Sequence, residues 1–229
     1  LGLRADPNTV DKYGCFILHR AIRDNSVELV RMLIDAKANI NSKSSNSLDT
    51  ALICAARRGE NLEIVDMLIC SNADVNLTGN TRHSALIAAT DIPMSEYYTY
   101  GSDTRSAIIK KLIDSKSNVN QQSSYGNTAM HFYVMREDNV EMFLKAGQNL
   151  SLSNIAGGTV FVTAIQNNRI DALQKIIEYD TDHLIDLDAN YDEYIDECID
   201  SDNIEHVKSI ITNARNHRVT ESHSEKTDD

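Results

Sequence analysis

The sequence lacks several features that would point to particular functions. No run of about 20 apolar residues occurs, so no membrane-spanning helix is expected, and no signal-peptide pattern is visible. Only four cysteines are present in 229 residues, Cys15, Cys54, Cys70 and Cys198. None forms a CxxC and no two share a metal-ligand spacing, so they read as reduced thiols. A catalytic Cys54 served by His19 or His83 would need those groups brought together in space; nothing in the spacing asks for it. Basic residues are also unevenly distributed. Between Lys175 and Lys208 there is no Lys or Arg, while 12 acidic residues fall there. The whole chain has 34 acidic and 22 basic residues, a formal net charge of −12, and without those 12 the two signs balance at 22 each. No basic stripe runs along the chain, which argues against nucleic acid as a partner.

What is there is a period. Ala5-Asp6-Pro7-Asn8, Ala38-Asn39-Ile40-Asn41, Ala73-Asp74-Val75-Asn76 and Ser117-Asn118-Val119-Asn120 close four stretches in the same way. Met32-Leu33-Ile34, Met67-Leu68-Ile69 and Lys111-Leu112-Ile113 precede three of them. Phe16, Thr50 and Ser84 follow one another at intervals of 34 residues, with Thr128 and Thr159 opening later units. Within a unit the apolar residues recur at helical spacing: Leu18, Ala21 and Ile22, then Val27, Val30, Leu33 and Ile34. Two short antiparallel helices are implied, too small to bury their faces alone, so stacked units must bury a common core. Thr50, Ser84, Thr128 and Thr159 are placed to cap the first helix of each unit. Gly14, Gly126 and Gly157 suit turns needing positive φ.

These units resemble the ankyrin repeat. The first full unit carries Asp11, Gly14, Leu18-His19, Ala21, Glu28-Leu29-Val30 and Leu33-Ile34 in register. The second carries Thr50-Ala51-Leu52, Ala55-Ala56, Gly59, Glu63-Ile64-Val65 and Leu68. The third carries Ser84-Ala85-Leu86 and Ala88-Ala89, the fourth Gly126-Asn127-Thr128-Ala129-Met130-His131, and the fifth Gly157-Gly158-Thr159, Ala164 and Asp171-Ala172-Leu173. Phe16-Ile17 replaces the usual Thr-Pro. The resemblance implies an all-α solenoid of about five repeats plus a degenerate capping repeat. Its expected layout is a remnant of a preceding repeat over residues 1–10, then repeats at 11–43, 44–77, 78–121, 122–152 and 153–182. Residues 183–214 read as an acidic capping repeat and 215–229 as a disordered tail. The third repeat holds an inserted loop at 91–105. The opening residues read as the tail of an earlier repeat, so the sequence is expected to be part of a longer array.

The resemblance implies a protein-binding module with no cofactor, no metal and no catalysis, monomeric and cytoplasmic. The contact surface is expected on the concave side, made of hairpin tips and the exposed side of first helices. By register that places Lys12, Tyr13, Arg20, Arg23, Asp24, Arg57, Arg58, Tyr125, Gln166 and Asn167 there. Tyr97, Tyr98 and Tyr100 in the inserted loop are further contact candidates, since tyrosine brings rigid area with a polar tip; local packing is their alternative role. His19 and His131 stand at the family's own histidine position and read as structural.

Asn41, Asn76 and Asn120 each follow a Leu by eight residues, like the asparagine hydroxylated in ankyrin proteins; tying the hairpin to its neighbour is their plainer role. The acidic segment contains a partial match to a calcium loop at Asp186, Asp188, Asn190 and Glu197, but Tyr191 stands where the turn needs Gly and Glu193 where it needs an apolar residue. A solvated terminal repeat is the plainer reading. The Asn- and Ile-rich, Pro- and Trp-poor make-up looks like ankyrin proteins of intracellular bacteria or large DNA viruses acting on a host protein. The alternatives are a eukaryotic adaptor, the targeting part of a larger enzyme, or a ligase adaptor, whose F-box-like segment is not found.

Overall fold

A computed structural model describes residues 6–92, 102–137, 139–187, 191, 195–196 and 203–224. It divides into two units, residues 1–129 and 130–229. Among the described residues the regular structure is helical, with β structure limited to isolated antiparallel bridges at Val10–Phe16 and Ser153–Thr159.

In the first unit the helices come in pairs: α1 Ile17–Arg23 with α2 Val27–Asp35, α3 Ala51–Arg58 with α4 Leu62–Cys70, and α5 Ala85–Thr90 with α6 Ser102–Asp114. First helices pack side by side, α1 on α3 and α3 on α5, and second helices form the adjoining row, α2 on α4 and α4 on α6. Small residues make this possible. Ala21, Ala51, Ala56, Ala85, Ala88 and Ala89 are buried to within a percent of complete, so the backbones approach closely. Leu18, Ile22, Val30, Leu52, Ile64, Val65, Leu68, Leu86, Ile87, Ile108 and Leu112 fill the space between. The second unit continues with α7 Ala129–Val134, α8 Glu141–Lys145, α9 Val160–Gln166 and α10 Ile170–Tyr179, closing with α11 Ile204–Ser224. There α9 packs on α10, and α10 on both α8 and α11. Phe143 and Phe161 anchor its core, with Tyr133 against Phe143 and Tyr191 edge-on to Phe161.

The capping expected at Thr50, Ser84 and Thr159 is present. Thr50, Ser84 and Thr159 accept from the N–H groups of Ile53, Ile87 and Val162 at 3.3–3.4 Å, while Phe16, in the equivalent position, makes no such bond. Second helices end in Schellman turns: Ala38, Ala73 and Ser117 donate to Leu33, Leu68 and Leu112, six-to-one bonds that leave the intervening residue left-handed.

Left-handed residues fall at three recurring places. Hairpin tips use Gly14, Leu48, Arg82, Gly126 and Gly157 (φ 52–80°). Turns between helices use Asn25, Gly59 and Asn168, and helix ends use Lys37, Asn72, Lys116 and Gly147. Leu48 and Arg82 are thus side chains standing in glycine positions.

Two sequence expectations need correction. The inserted loop does not extend to residue 105: residues 102–105 are the first turn of α6, and Arg105 is 6% exposed. Nor does order stop at residue 214, because α11 continues to Ser224. The reason is a set of side-chain anchors. Arg218 pairs with Asp180 and donates to the Ile185 carbonyl at 2.8 Å, while Arg215 donates to the Leu187 carbonyl. Asp180 is also an exception to the solvated reading of the acidic run. Its side chain is wholly buried, accepting from the N–H groups of Leu184 and Ile185 at 2.7 and 3.0 Å.

The tips yield a test. A left-handed side chain costs about 1–2 kcal/mol, part of which glycine gives back as unfolded-chain entropy. Leu48→Gly and Arg82→Gly are each expected to stabilise the protein by about 0.5–1 kcal/mol in urea titration. Tyr13→Gly, one residue off register, is expected to destabilise it.

Candidate partner-binding surface

In the first unit the hairpin tips are tied to one another through the backbone. The carbonyls of Gly14, Ser47 and Thr81 accept from the N–H groups of Ser45, Asn80 and Ser124 at 3.0–3.3 Å. Asp11 folds the first tip, accepting from Tyr13 and Cys15 N–H, both at 2.9 Å; the Cys15 bond chiefly holds its carboxyl below the usual range. On this frame Tyr13 and Tyr125 occupy the same repeat position, each one residue before its left-handed glycine. They are 63% and 60% exposed. Lys12 places its ammonium 4.9 Å from the Tyr13 ring centre.

Arg20 and Arg23 lie exposed on α1, with Arg20 paired to Asp24 at 3.0 Å. Arg57 and Arg58 are not the free pair that their helix suggests. Arg57 reaches Asp49 at 3.3 Å and Arg58 reaches Glu60 at 2.9 Å. The acidic partners lie outside α3, so inspection of the helix alone could not find them. In the second unit Gln166 is exposed, but Asn167 is half-buried and donates to the Thr163 carbonyl at 2.8 Å. Tyr97, Tyr98 and Tyr100 lie outside the described residues, as do Asp188, Asn190 and Glu197 of the calcium-like match. Tyr191 of that match donates its hydroxyl to the Asp186 carbonyl at 2.6 Å.

Asn41 and Asn76 act as cross-repeat ties. Asn41 accepts from Asp74 N–H at 2.9 Å and donates to the Asn72 carbonyl at 3.3 Å; Asn76 accepts from Asn118 N–H at 2.8 Å. Asn120 donates its N–H to Asn118 at 3.0 Å. Their exposure to a modifying enzyme remains a proposal, and these bonds are what it would perturb.

The histidines serve the same purpose. His19 bonds the Asp49 carbonyl through Nε2 at 2.9 Å, and His131 the Gly158 carbonyl at 3.2 Å. Facing a carbonyl, each Nε2 must donate. Burial pushes both imidazoles down, His131 to about 4. Burial likewise pushes the Cys54 thiol up to about 12, so it carries no thiolate at neutral pH.

Sequence reasoning missed Arg105. Its guanidinium donates to the carbonyls of Arg57 (3.3 Å), Arg58 (2.8 Å) and Ala89 (3.1 Å), the C-terminal ends of α3 and α5. Left-handed Gly59 leaves room for it: an added Cβ would lie 2.3 Å from the guanidinium carbon. Nothing in a lone arginine after an insertion signals this; only the three-dimensional approach of two helix ends does.

Comparison with known proteins agrees with the geometry. Residues 1–79 match the family model described as ankyrin repeats in three copies. Ankyrin repeats are thus shown over those residues. It is 35% identical over 65 residues, 28% of its length, to a cowpox virus ankyrin repeat domain-containing protein, OPG023, and to vaccinia virus ankyrin repeat protein 14. Those matches cover 10% and 27% of the two viral proteins, so the chain spans well under two thirds of the relatives it matches. A crystal structure of an ankyrin repeat domain from Acinetobacter baumannii superposes with a TM-score of 0.66 at 24% identity, covering 77% of this chain and 87% of that one. The fold is therefore the ankyrin-repeat fold. Among the described residues no helix is long and apolar enough to cross a membrane.

The site yields two tests. Arg105→Ala should cost about 2–4 kcal/mol by leaving helix-end carbonyls unsatisfied, and Gly59→Ala should cost much less in that background than alone. For His131, the unfolded chain takes up a proton near pH 6.5 and the folded one near 4. The stability from its neutral form is whole above about pH 6.5 and is lost as pH falls towards about 4, roughly 2–3 kcal/mol in all. His131→Gln, which keeps a donor but does not titrate, should flatten that part of the profile in urea titrations at about pH 7 and about pH 4.5.

Proposed function

We propose that this ankyrin array binds a protein through the hairpin tips and first-helix side of its first unit, with Tyr13 and Tyr125 as the main contacts. Ankyrin repeats are generally protein–protein interaction modules and typically non-enzymatic. The observation that carries the assignment is two largely exposed tyrosines at the same tip position, on turns fixed by backbone bonds between repeats. A rigid exposed ring loses little entropy on binding, which is why tyrosine anchors interfaces. Lys12, Arg20, Arg23 and Asp24 flank Tyr13 and form the charged rim of the surface. Arg57 and Arg58 contribute less, because a partner must compete with Asp49 and Glu60 for them. The viral origin of the relatives supports a host-cell protein as the partner and the host cytoplasm as the place.

The test is affinity capture from host cytosol with the intact chain and with Tyr13→Ala/Tyr125→Ala, the captured protein then being titrated by calorimetry. The double variant should weaken binding by about 2–4 kcal/mol without changing the melting temperature. Lys110→Ala, on the second-helix row and paired with Asp114, should leave binding unchanged. Equal binding by wild type and the tyrosine variant would refute the assignment.

A further inference from the structure

Leu48 holds a turn that glycine would form at lower cost. Its φ is 52°, in the left-handed region that favours glycine, and the residue is 42% exposed. The equivalent tip residues are Gly14 in the first repeat and Arg82 in the third, at φ 71° and 57°. The second tip lies between them, because the Gly14 carbonyl accepts from Ser45 N–H and the Ser47 carbonyl from Asn80 N–H. Leu48 thus gives up stability that glycine would supply and leaves much of its apolar surface in water. Strain of this kind collects at contact sites, where the side chain itself is needed.

The charges around these tips form a second pattern. Lys12, Arg23 and Arg82 are exposed and have no ion-pair partner among the described residues. The acids of the same tips and first helices are already engaged. Asp11 accepts from the N–H groups of Tyr13 and Cys15, Asp24 pairs with Arg20, and Asp49 with Arg57. Second helices differ: there Arg31, Lys110 and Lys111 each pair with a carboxylate. Arg23 belongs to the tip side, since the Asp11 carboxyl, lowered chiefly by the Cys15 bond, also feels the charges of Arg23 and Arg20. A locally positive surface therefore stands on a chain whose formal net charge is −12.

We infer, resting on the tip surface proposed above, that the first unit binds a short acidic segment of a partner protein. A large apolar side chain of that segment lies against Leu48, and its carboxylates meet Lys12, Arg23 and Arg82. Attraction between exposed charges reaches only about 8 Å at physiological salt, so a short segment responds to these local cations. A long polyanion would also meet the chain's excess of acidic charge, which argues against nucleic acid. Leu48, between the tyrosine-bearing tips of the first and fourth repeats, offers a base no ring to stack on.

A displayed library of random peptides, panned on the intact chain, supplies the probe. Selected peptides should carry several Asp or Glu beside Leu, Ile, Met or Phe, and a synthetic one is then titrated by fluorescence anisotropy. Leu48→Gly should raise the melting temperature yet weaken the peptide about fivefold to tenfold, a pairing of signs that a merely structural leucine would not give. Arg23→Glu with Arg82→Glu should weaken it about tenfold or more and flatten its salt dependence. Lys110→Ala should leave it unchanged. No enriched peptide, or enriched peptides without acidic residues, would overturn the inference. So would displacement of the peptide by a single-stranded oligonucleotide at comparable concentration, since the occupant would then be a nucleic acid. Weakening by Tyr13→Ala/Tyr125→Ala with no change in Leu48→Gly would overturn it and leave the tip surface standing. No change in any of these tip variants would remove both.

Discussion

No helix pair here can satisfy its own backbone. Helices of seven to nine residues leave most of their terminal N–H and C=O groups without an intrahelical partner, and burial between repeats removes water as the alternative. The structure meets this with side chains reaching from one repeat to the next. His19 donates to the Asp49 carbonyl, Arg105 to the carbonyls closing α3 and α5, His131 to Gly158 and Arg169 to Met135. Asn41 and Asn76 do so at the other end of the unit. Apolar packing supplies the drive for stacking, but these bonds fix the register, because a neighbour shifted by one residue would bury carbonyls with nothing to accept from. Ion pairs between second helices, Arg31–Glu63 and Lys111–Asp66, add little to stability at their exposure.

The same requirement explains how few glycines the array needs. Turns at three fixed places demand a left-handed residue, and among the described residues seven of these are not glycine. Asn25, Asn72 and Asn168 tolerate the conformation because a short amide can bond locally. Leu48, Arg82, Lys37 and Lys116 have no such excuse, and their strain is held by the backbone bonds around them, such as Ala38 and Ser117 donating to Leu33 and Leu112. The repeats therefore keep their turn geometry with ordinary side chains where the conformation favours glycine.

That tolerance decides what could be read from the sequence. Period, helix pairing, the Thr50, Ser84 and Thr159 caps and the structural use of His19 were legible, since each depends on a residue's offset within its own unit. Arg105 was not legible, because its role arises where two helix ends from different repeats meet. The pairing of Arg57 and Arg58 was hidden for a like reason: Asp49 and Glu60 flank α3 instead of lying within it. The ordered course of α11 past residue 214 was hidden because the segment is polar, and polarity alone cannot distinguish a solvated tail from one anchored by Arg215, Arg218 and a buried Asp180.

Function is constrained by what remains after the ties are made. A side chain engaged in holding repeats together must be released before it can meet a partner, and releasing Arg105 or Asn41 would expose the groups they satisfy. The side chains available at no such cost are those on tips whose backbone is already fixed. Tyr13 and Tyr125 meet that condition, while Arg57 and Arg58, on α3 and paired with Asp49 and Glu60, do not. The surface proposed here could change its side chains without disturbing the fold, because the residues proposed for recognition are not those whose side chains hold the register. Asp11 folds the first tip and the Gly14 carbonyl accepts from Ser45 N–H; the tyrosine between them joins the first task only through its backbone N–H, and its side chain serves neither.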